Sequence, residues 1–201
     1  MDTVKIIEKE TVFQGYFRID RYRMQYRTYA GGWSEEVLRE IFERGHAAAV
    51  LLYDPDRDAV ALIEQFRVGA YAAGWDNPWL LEIVAGIIEK GEAPEDVACR
   101  EAQEEAGCAI SDPLPIVRML TTPGGSSESI MLYCARVDVR EMGGIHGLST
   151  EHEDIKVVII PFDEVMELLE KGAIQNATAL VALQWLALNR ETVRTRWMQE
   201  S

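Results

Sequence analysis

The sequence predicts an α/β protein of the α+β kind, a mixed β-sheet covered by helices with a small β-rich subdomain ahead of it. Three observations predict this class. Two apolar runs, His46–Tyr53 and Ala59–Phe66, are joined by Asp54-Pro55-Asp56-Arg57-Asp58, which is turn chemistry for a hairpin. Further strand-like runs are interspersed with only a few helical segments, the pattern of a sheet buried by helices rather than a bundle. Hydrophobic residues make up 48% of the 201 and charged residues 27%, so the chain can bury a core and is not disordered.

Taken in order, residues 1–45 are rich in aromatic, β-branched and arginine residues. Thr11–Tyr29 reads as strands closed by the turn Ala30-Gly31-Gly32, with Arg18, Arg21, Arg23 and Arg27 set against Asp20. This region is expected to form an N-terminal β subdomain, and residues 46–201 the main domain. Ser34–Gly45 opens on a helix-capping serine and closes on a glycine stop, yet its β-branched content also suits a strand, so its type stays open. Beyond the hairpin, strands are expected at Trp79–Val84, Ile116–Leu120, Ser129–Val137 and Ile155–Ile160. Helices are expected at Pro94–Ala106, Asp163–Lys171 and Ala177–Arg190, marked by Gly107, Gly172 and Asn176.

Thirty-four acids against 20 bases give a formal charge of −14, which argues against a nucleic-acid partner. The longest uncharged stretch, Ala173–Leu188, is too short and too polar for a membrane span, and no signal-peptide pattern opens the sequence. Cys99, Cys108 and Cys134 are odd in number and lack paired spacing, as expected of reduced thiols in a cytoplasmic protein. His46 is expected to be a core residue at the start of a strand, and no role falls to His146.

The chemistry concentrates between Glu92 and Glu105, where six acids surround the single base Arg100. Glu95 and Asp96 follow Pro94 and suit the positive end of a helix. Glu101, Glu104 and Glu105 project from one side of that helix near its negative end, where like charges repel by roughly 0.2–0.5 kcal/mol per pair. Arg100 reaches Glu104 one turn on but cannot satisfy all three. Clustered carboxylates without thiolate or imidazole suit Mg²⁺ or Mn²⁺; the competing reading is a solvated acidic face.

The spacing weighs against the solvated face. Gly86, five residues, Glu92, seven residues, then Arg100-Glu101-Ala102-Gln103-Glu104-Glu105-Ala106-Gly107-Cys108 reproduces the pattern GX5EX7REUXEEXGU, where U is aliphatic. The sequence thus resembles the Nudix hydrolase family, whose fold is a mixed sheet sandwiched between helices and whose activity is hydrolysis of a nucleoside diphosphate linked to another group. The resemblance implies that Glu101 and Glu105, with the carbonyl of Ala85, hold Mg²⁺ (Mn²⁺ as a substitute). Glu104 stands beside them as a catalytic residue, and Gly86, Glu92, Arg100 and Gly107 have structural roles. Outside this pattern, the Nudix box, it makes Glu151 the candidate general base and Glu153 a further metal ligand, in a polar loop able to close over a site. His152 stands between the two, where the family commonly has another polar residue.

Within the family the likeness is nearest to the bacterial branch acting on ADP-ribose. It is carried by Arg39–Ala47, Leu62–Arg67, Pro78–Gly86, Pro123–Glu128, Gly144–Leu148 and Ala182–Leu186, and by Pro123 standing 16 residues after Gly107. It implies a substrate site formed by Tyr16, Phe17, Arg39, Glu40, Arg44, Arg67, Thr122, Pro123, Gly124 and Glu128. It also implies a homodimer whose N-terminal subdomains are exchanged. Fifteen of the 20 bases are arginine, whose planar fork suits phosphate. Arg39 and Arg44 have the alternative of pairing with Glu35, Glu36, Glu40 or Glu43, and Tyr16 and Phe17 that of core packing. The expected substrate is a small nucleotide sugar, with no membrane or nucleic-acid partner. Hydrolysis of another nucleotide sugar such as GDP-mannose, or a nucleotide-sugar sensor without catalysis, are the competing functions.

Overall fold

The computed structural model describes residues 3–199, with the side chains of Glu151 and Gln199 outside the described residues. The chain forms two compact units, Met1–His46 with Leu120–Ser129, and Ala47–Met119 with Ile130–Ser201.

The first unit holds an antiparallel sheet of β1 (Val4–Gln14), β2 (Arg18–Tyr26) and β3 (Val37–Glu43), in that order. β1 begins at Val4 rather than at Thr11. The charges that hide it in the sequence are matched across the sheet: Glu8 to Arg23, Lys9 to Asp20 and Glu10 to Arg21. Such pairs favour strand association and keep an edge strand soluble. Within Ser34–Gly45 the segment Val37–Glu43 is strand, pairing along β2, and Arg21 links to Glu40 at 2.9 Å. Residues 120–129 belong here through Phe42, whose N–H donates to the Gly125 carbonyl and whose carbonyl accepts from Ser126 Oγ. His46 is not a core residue; it is exposed, and its Nδ1 meets the backbone N–H and hydroxyl of Ser129 at 3.2 and 3.0 Å.

The second unit is built on β4 (Ala47–Asp54) and β5 (Ala59–Phe66), the expected hairpin. Asp54 Oδ1 accepts from the N–H groups of Asp56 and Arg57 in its turn. Then come α1 (Val68–Ala72), β6 (Trp79–Glu82), β7 (Val84–Ile87), α2 (Pro94–Ala106), β8 (Leu114–Leu120) and β9 (Ser129–Arg136). The chain continues through β10 (Gly144–His146), a 3₁₀ turn at Ser149–Glu151, β11 (Ile155–Pro161), α3 (Phe162–Glu170) and α4 (Ala177–Gln199). The sheet order is β10-β11-β5-β4-β9-β8, with β6 on β5 and β7 on β4. β9 runs parallel to β4 and β5 antiparallel to it, so the sheet is mixed as expected.

Every residue of β4 is buried because both faces of the sheet are covered. Ala48, Val50 and Leu52 pack with Val97, Ala98, Ala102 and Ala106 of α2. Ala49, Leu51 and Tyr53 pack with Val165 of α3 and Ala182, Leu183 and Leu186 of α4. α4 runs past Arg190 because Val193 and Trp197 add to that second layer. Among the described residues no helix is long and apolar enough to cross a membrane.

One departure shapes the site. Trp79–Val84 is not a single strand: β6 pairs with β5, and after Ile83 the chain changes partner so that β7 pairs with β4. This step sets Glu82 opposite Ile63 and Ala85 opposite Ala49, bringing both residues onto central strands.

Candidate active site

Helix α2 forms where proline and two acids open it, and it ends where Gly107 takes a left-handed conformation (φ 66°). The N–H groups of Gly107 and Cys108 return to the carbonyls of Gln103 and Ala102. Its buried alanines seat it on the sheet, so its acidic side meets β7 and the loop after β10.

Glu105 lies on that side, yet it is not on an exposed face. It is 3% exposed, and its Oε2 accepts the N–H of Ala85 at 3.0 Å. Burial pushes its carboxyl up to about 8; the Ala85 N–H opposes the rise, and the neighbouring charges of Glu101 and Glu153 add to it. Burial raises Glu101 as well, against the pull of Arg100. Gly86 is required here, since a Cβ on it would stand 1.7 Å from Glu101 Oε1. The spacing of the motif thus becomes contact: the glycine lets the strand touch the helix acid.

Arg100 gathers the remaining carboxylates. Its Nη1 meets Glu101 Oε1 at 2.7 Å and Glu104 Oε2 at 3.1 Å, while Nε meets Glu92 Oε1 at 3.3 Å. Glu92 also accepts the Glu89 N–H at 2.9 Å, and this bond, followed by Arg100, lowers its pKa. Glu92 and Arg100 therefore tie the loop to the helix.

Glu153 accepts the Leu148 N–H at 3.2 Å, and Gly147 (φ 101°) must be glycine because a Cβ would lie 2.7 Å from that of Glu153. The loop is also pinned to α2: the Gly147 N–H donates to the Glu104 carbonyl, and the His146 ring lies over Gly107. His146 thus has a packing role. Glu151 closes the 3₁₀ turn, but its side chain falls outside the described residues.

Arg67 belongs to this cluster too. Its Nε and Nη2 donate to the two oxygens of Glu82 at 3.1 and 2.9 Å. Burial alone would lower its pKa; Glu82, Glu105 and Glu153 outweigh that and raise it.

The donor set is all oxygen, excess negative charge surrounds a buried carboxylate, and Ala85 adjoins it. A hard divalent cation fits such a set. Among the described residues no three side chains already form an ion cage; Arg100 occupies Glu101 and Glu104 instead.

The other expected substrate residues lie in the first unit. Tyr16 and Phe17 occupy the β1–β2 turn edge to face at 4.8 Å, and Tyr16 is 88% exposed, so core packing does not explain it. Arg44 pairs with Glu128 at 3.2 Å, and buried Glu128 also accepts from Thr121 Oγ1 at 2.7 Å. Arg39 donates to the Leu38 carbonyl and Glu40 is held by Arg21, so the arginine–glutamate pairs differ from those the sequence suggests. Thr122, Pro123 and Gly124 form an exposed turn closed by N–H groups of Gly125 and Ser126 on the Thr122 carbonyl.

Sequence reasoning missed Glu82 and Gln65. Both are buried, and Gln65 Oε1 has no hydrogen-bond partner among the described residues. A lone acid within Trp79-Leu80-Leu81-Glu82-Ile83-Val84 was the available signal.

Residues 43–183 match the family profile of the NUDIX domain. The chain is 47% identical over 194 residues to an ADP-ribose pyrophosphatase of Escherichia coli (strain K12), covering 96% of this chain and 92% of that protein. It is 40% identical to the ADP-ribose pyrophosphatase of Haemophilus influenzae, covering 96% and 90%. It is 33% identical to a GDP-mannose pyrophosphatase of Cronobacter sakazakii, covering 92% and 95%. A crystal structure described as an ADP compounds hydrolase superposes with a TM-score of 0.73 at 21% identity, covering 96% of this chain and 98% of that one, a likeness of fold.

Proposed function

Since the chain belongs to the NUDIX family, we propose that it hydrolyses the pyrophosphate bond of ADP-ribose, with a divalent cation, to AMP and ribose 5-phosphate. The observation that carries this reading is the buried Glu105 among Glu101, Glu153 and Arg67, with Gly86 drawn against the helix. An all-oxygen acidic pocket beside an arginine suits a metal-bound diphosphate. The identity of 47% to an ADP-ribose pyrophosphatase, against 33% to a GDP-mannose pyrophosphatase, favours ADP-ribose within the family.

Glu101, Glu105, Glu153 and the Ala85 carbonyl would hold the ion, Mg²⁺ or Mn²⁺. When bound, it neutralises charge growing on the diphosphate and acidifies water. The protein's own groups do the rest. Glu151 takes a proton from the attacking water, with Glu104 beside the site; Arg67 and the Arg39 and Arg44 of the N-terminal unit bind phosphate and ribose. Glu40, Glu128 and the Thr122–Pro123–Gly124 turn fix the substrate, and Tyr16 and Phe17 stack on adenine. Gly86, Glu92, Arg100 and Gly107 keep the loop–helix–loop in shape. Residues 1–45 form a subdomain exchanged in a cytoplasmic homodimer.

Product identification tests the activity. With Mg²⁺, ADP-ribose should yield AMP and ribose 5-phosphate, and chelation should stop it. Binding of ADP-ribose without metal-stimulated product release would instead favour a sensor.

A further inference from the structure

We propose that Glu82 is a positioning residue for this reaction, holding Arg67 by one edge so that its other edge is presented to the substrate diphosphate. The inference rests on the reading of Arg67 as a diphosphate contact and adds to it the group that makes that contact possible.

Glu82 is 4% exposed in an otherwise apolar strand, opposite Ile63. A carboxylate at such a position is stable only when paired, and Arg67 supplies two nearly parallel N–H donors at 3.1 and 2.9 Å. The pairing consumes the Nε–Nη2 edge of the guanidinium. The Nη1 edge remains, on a side chain still 39% exposed.

Charge gives the brace a second consequence. Arg67 feels the carboxylates of Glu105 and Glu153 as well as Glu82. Released from Glu82, a long flexible cation would swing onto those acids and occupy the place of substrate and ion. Glu82 keeps Arg67 beside the acid cluster and off it. Glu82→Gln retains the shape of the side chain, but its amide turns an N–H group toward a guanidinium donor and breaks the fork.

The test compares Glu82→Gln, Arg67→Ala and the double variant by steady-state kinetics on ADP-ribose, with thermal midpoints in parallel. We expect Glu82→Gln to raise KM by about tenfold or more, as for a buried charge pair that loses a partner, and kcat to change much less. The double variant should be no worse than Arg67→Ala, because Glu82 acts through Arg67. Glu82→Asp, which keeps the charge and shortens the brace, should raise KM to a smaller extent; it serves equally if Glu82→Gln fails to fold. Wild-type KM in a folded Glu82 variant while Arg67→Ala raises it would overturn the positioning role and leave the substrate reading standing. An unchanged KM in Arg67→Ala would overturn the reading of Arg67 itself, and the proposal with it.

Discussion

Glu105 carries two opposed requirements. The fold buries its carboxylate against Ala85, and burial with like charges around it pushes the pKa up to about 8. A raised pKa means the folded, metal-free protein binds this proton more tightly than the unfolded chain does. Stability from this group is therefore full below the ordinary carboxylate range and is lost as pH rises toward 8. A cation reverses the preference, because it binds only the ionised form. Metal uptake near neutral pH should thus release a proton from Glu105, with apparent affinity rising with pH. Calorimetric titration in two buffers of different ionisation enthalpy reads this directly; equal heats in both would rule out Glu105 as the proton source. Glu105→Gln should lower turnover by about a hundredfold or more, since loss even of groups behind a metal ligand costs 10–100-fold. It should also make metal-free stability less sensitive to alkaline pH. Near-normal turnover in that variant would mean the ligand assignment is wrong. The sequence displayed Glu105 by spacing alone; its burial depends on β7, which no local pattern announces.

Three joints hold the box together: the Gly86 approach, the Arg100 bridge and the Gly107 stop. The limits of α2 were legible because proline, the first-turn acids and the terminal glycine are local signals. The partner change at Ile83 was not, since it is decided by which central strand each half finds. β1 was cut short in the sequence for a related reason: its alternating charges look like a solvated stretch until Arg21 and Arg23 lie across from them. Gly107→Ala should cost about 1–2 kcal/mol from the left-handed backbone alone, and more because the new methyl would meet His146 at 2.5 Å. Chemical denaturation measures the loss; a loss no larger than the backbone cost would mean His146 is not packed over Gly107 as described. Glu151→Gln should slow turnover while sparing metal affinity, measured by activity against metal concentration; a weakened metal affinity with an unaltered maximal rate would move Glu151 from base to ligand.

Across the whole molecule, the charge of −14 is unevenly placed. Residues 82–105 hold eight acids and two bases, and residues 151–154 three acids and no base. From these segments Glu101, Glu105 and Glu153 come together at the prospective cation site, while Glu82 is paired with Arg67 and Glu92 and Glu104 with Arg100. The first unit supplies arginines paired to glutamates, among them Arg44 with Glu128. If that unit is exchanged between two protomers, sedimentation should give a dimer, and a chain lacking residues 1–45 should lose affinity for ADP-ribose more than it loses its fold. A monomer with full activity would contradict the exchange. Preference for ADP-ribose over other nucleotide sugars is read from the rate of product release from ADP-ribose and GDP-mannose at equal concentration with Mg²⁺. ADP-ribose should be hydrolysed much faster, to AMP and ribose 5-phosphate; faster hydrolysis of GDP-mannose would contradict this specificity.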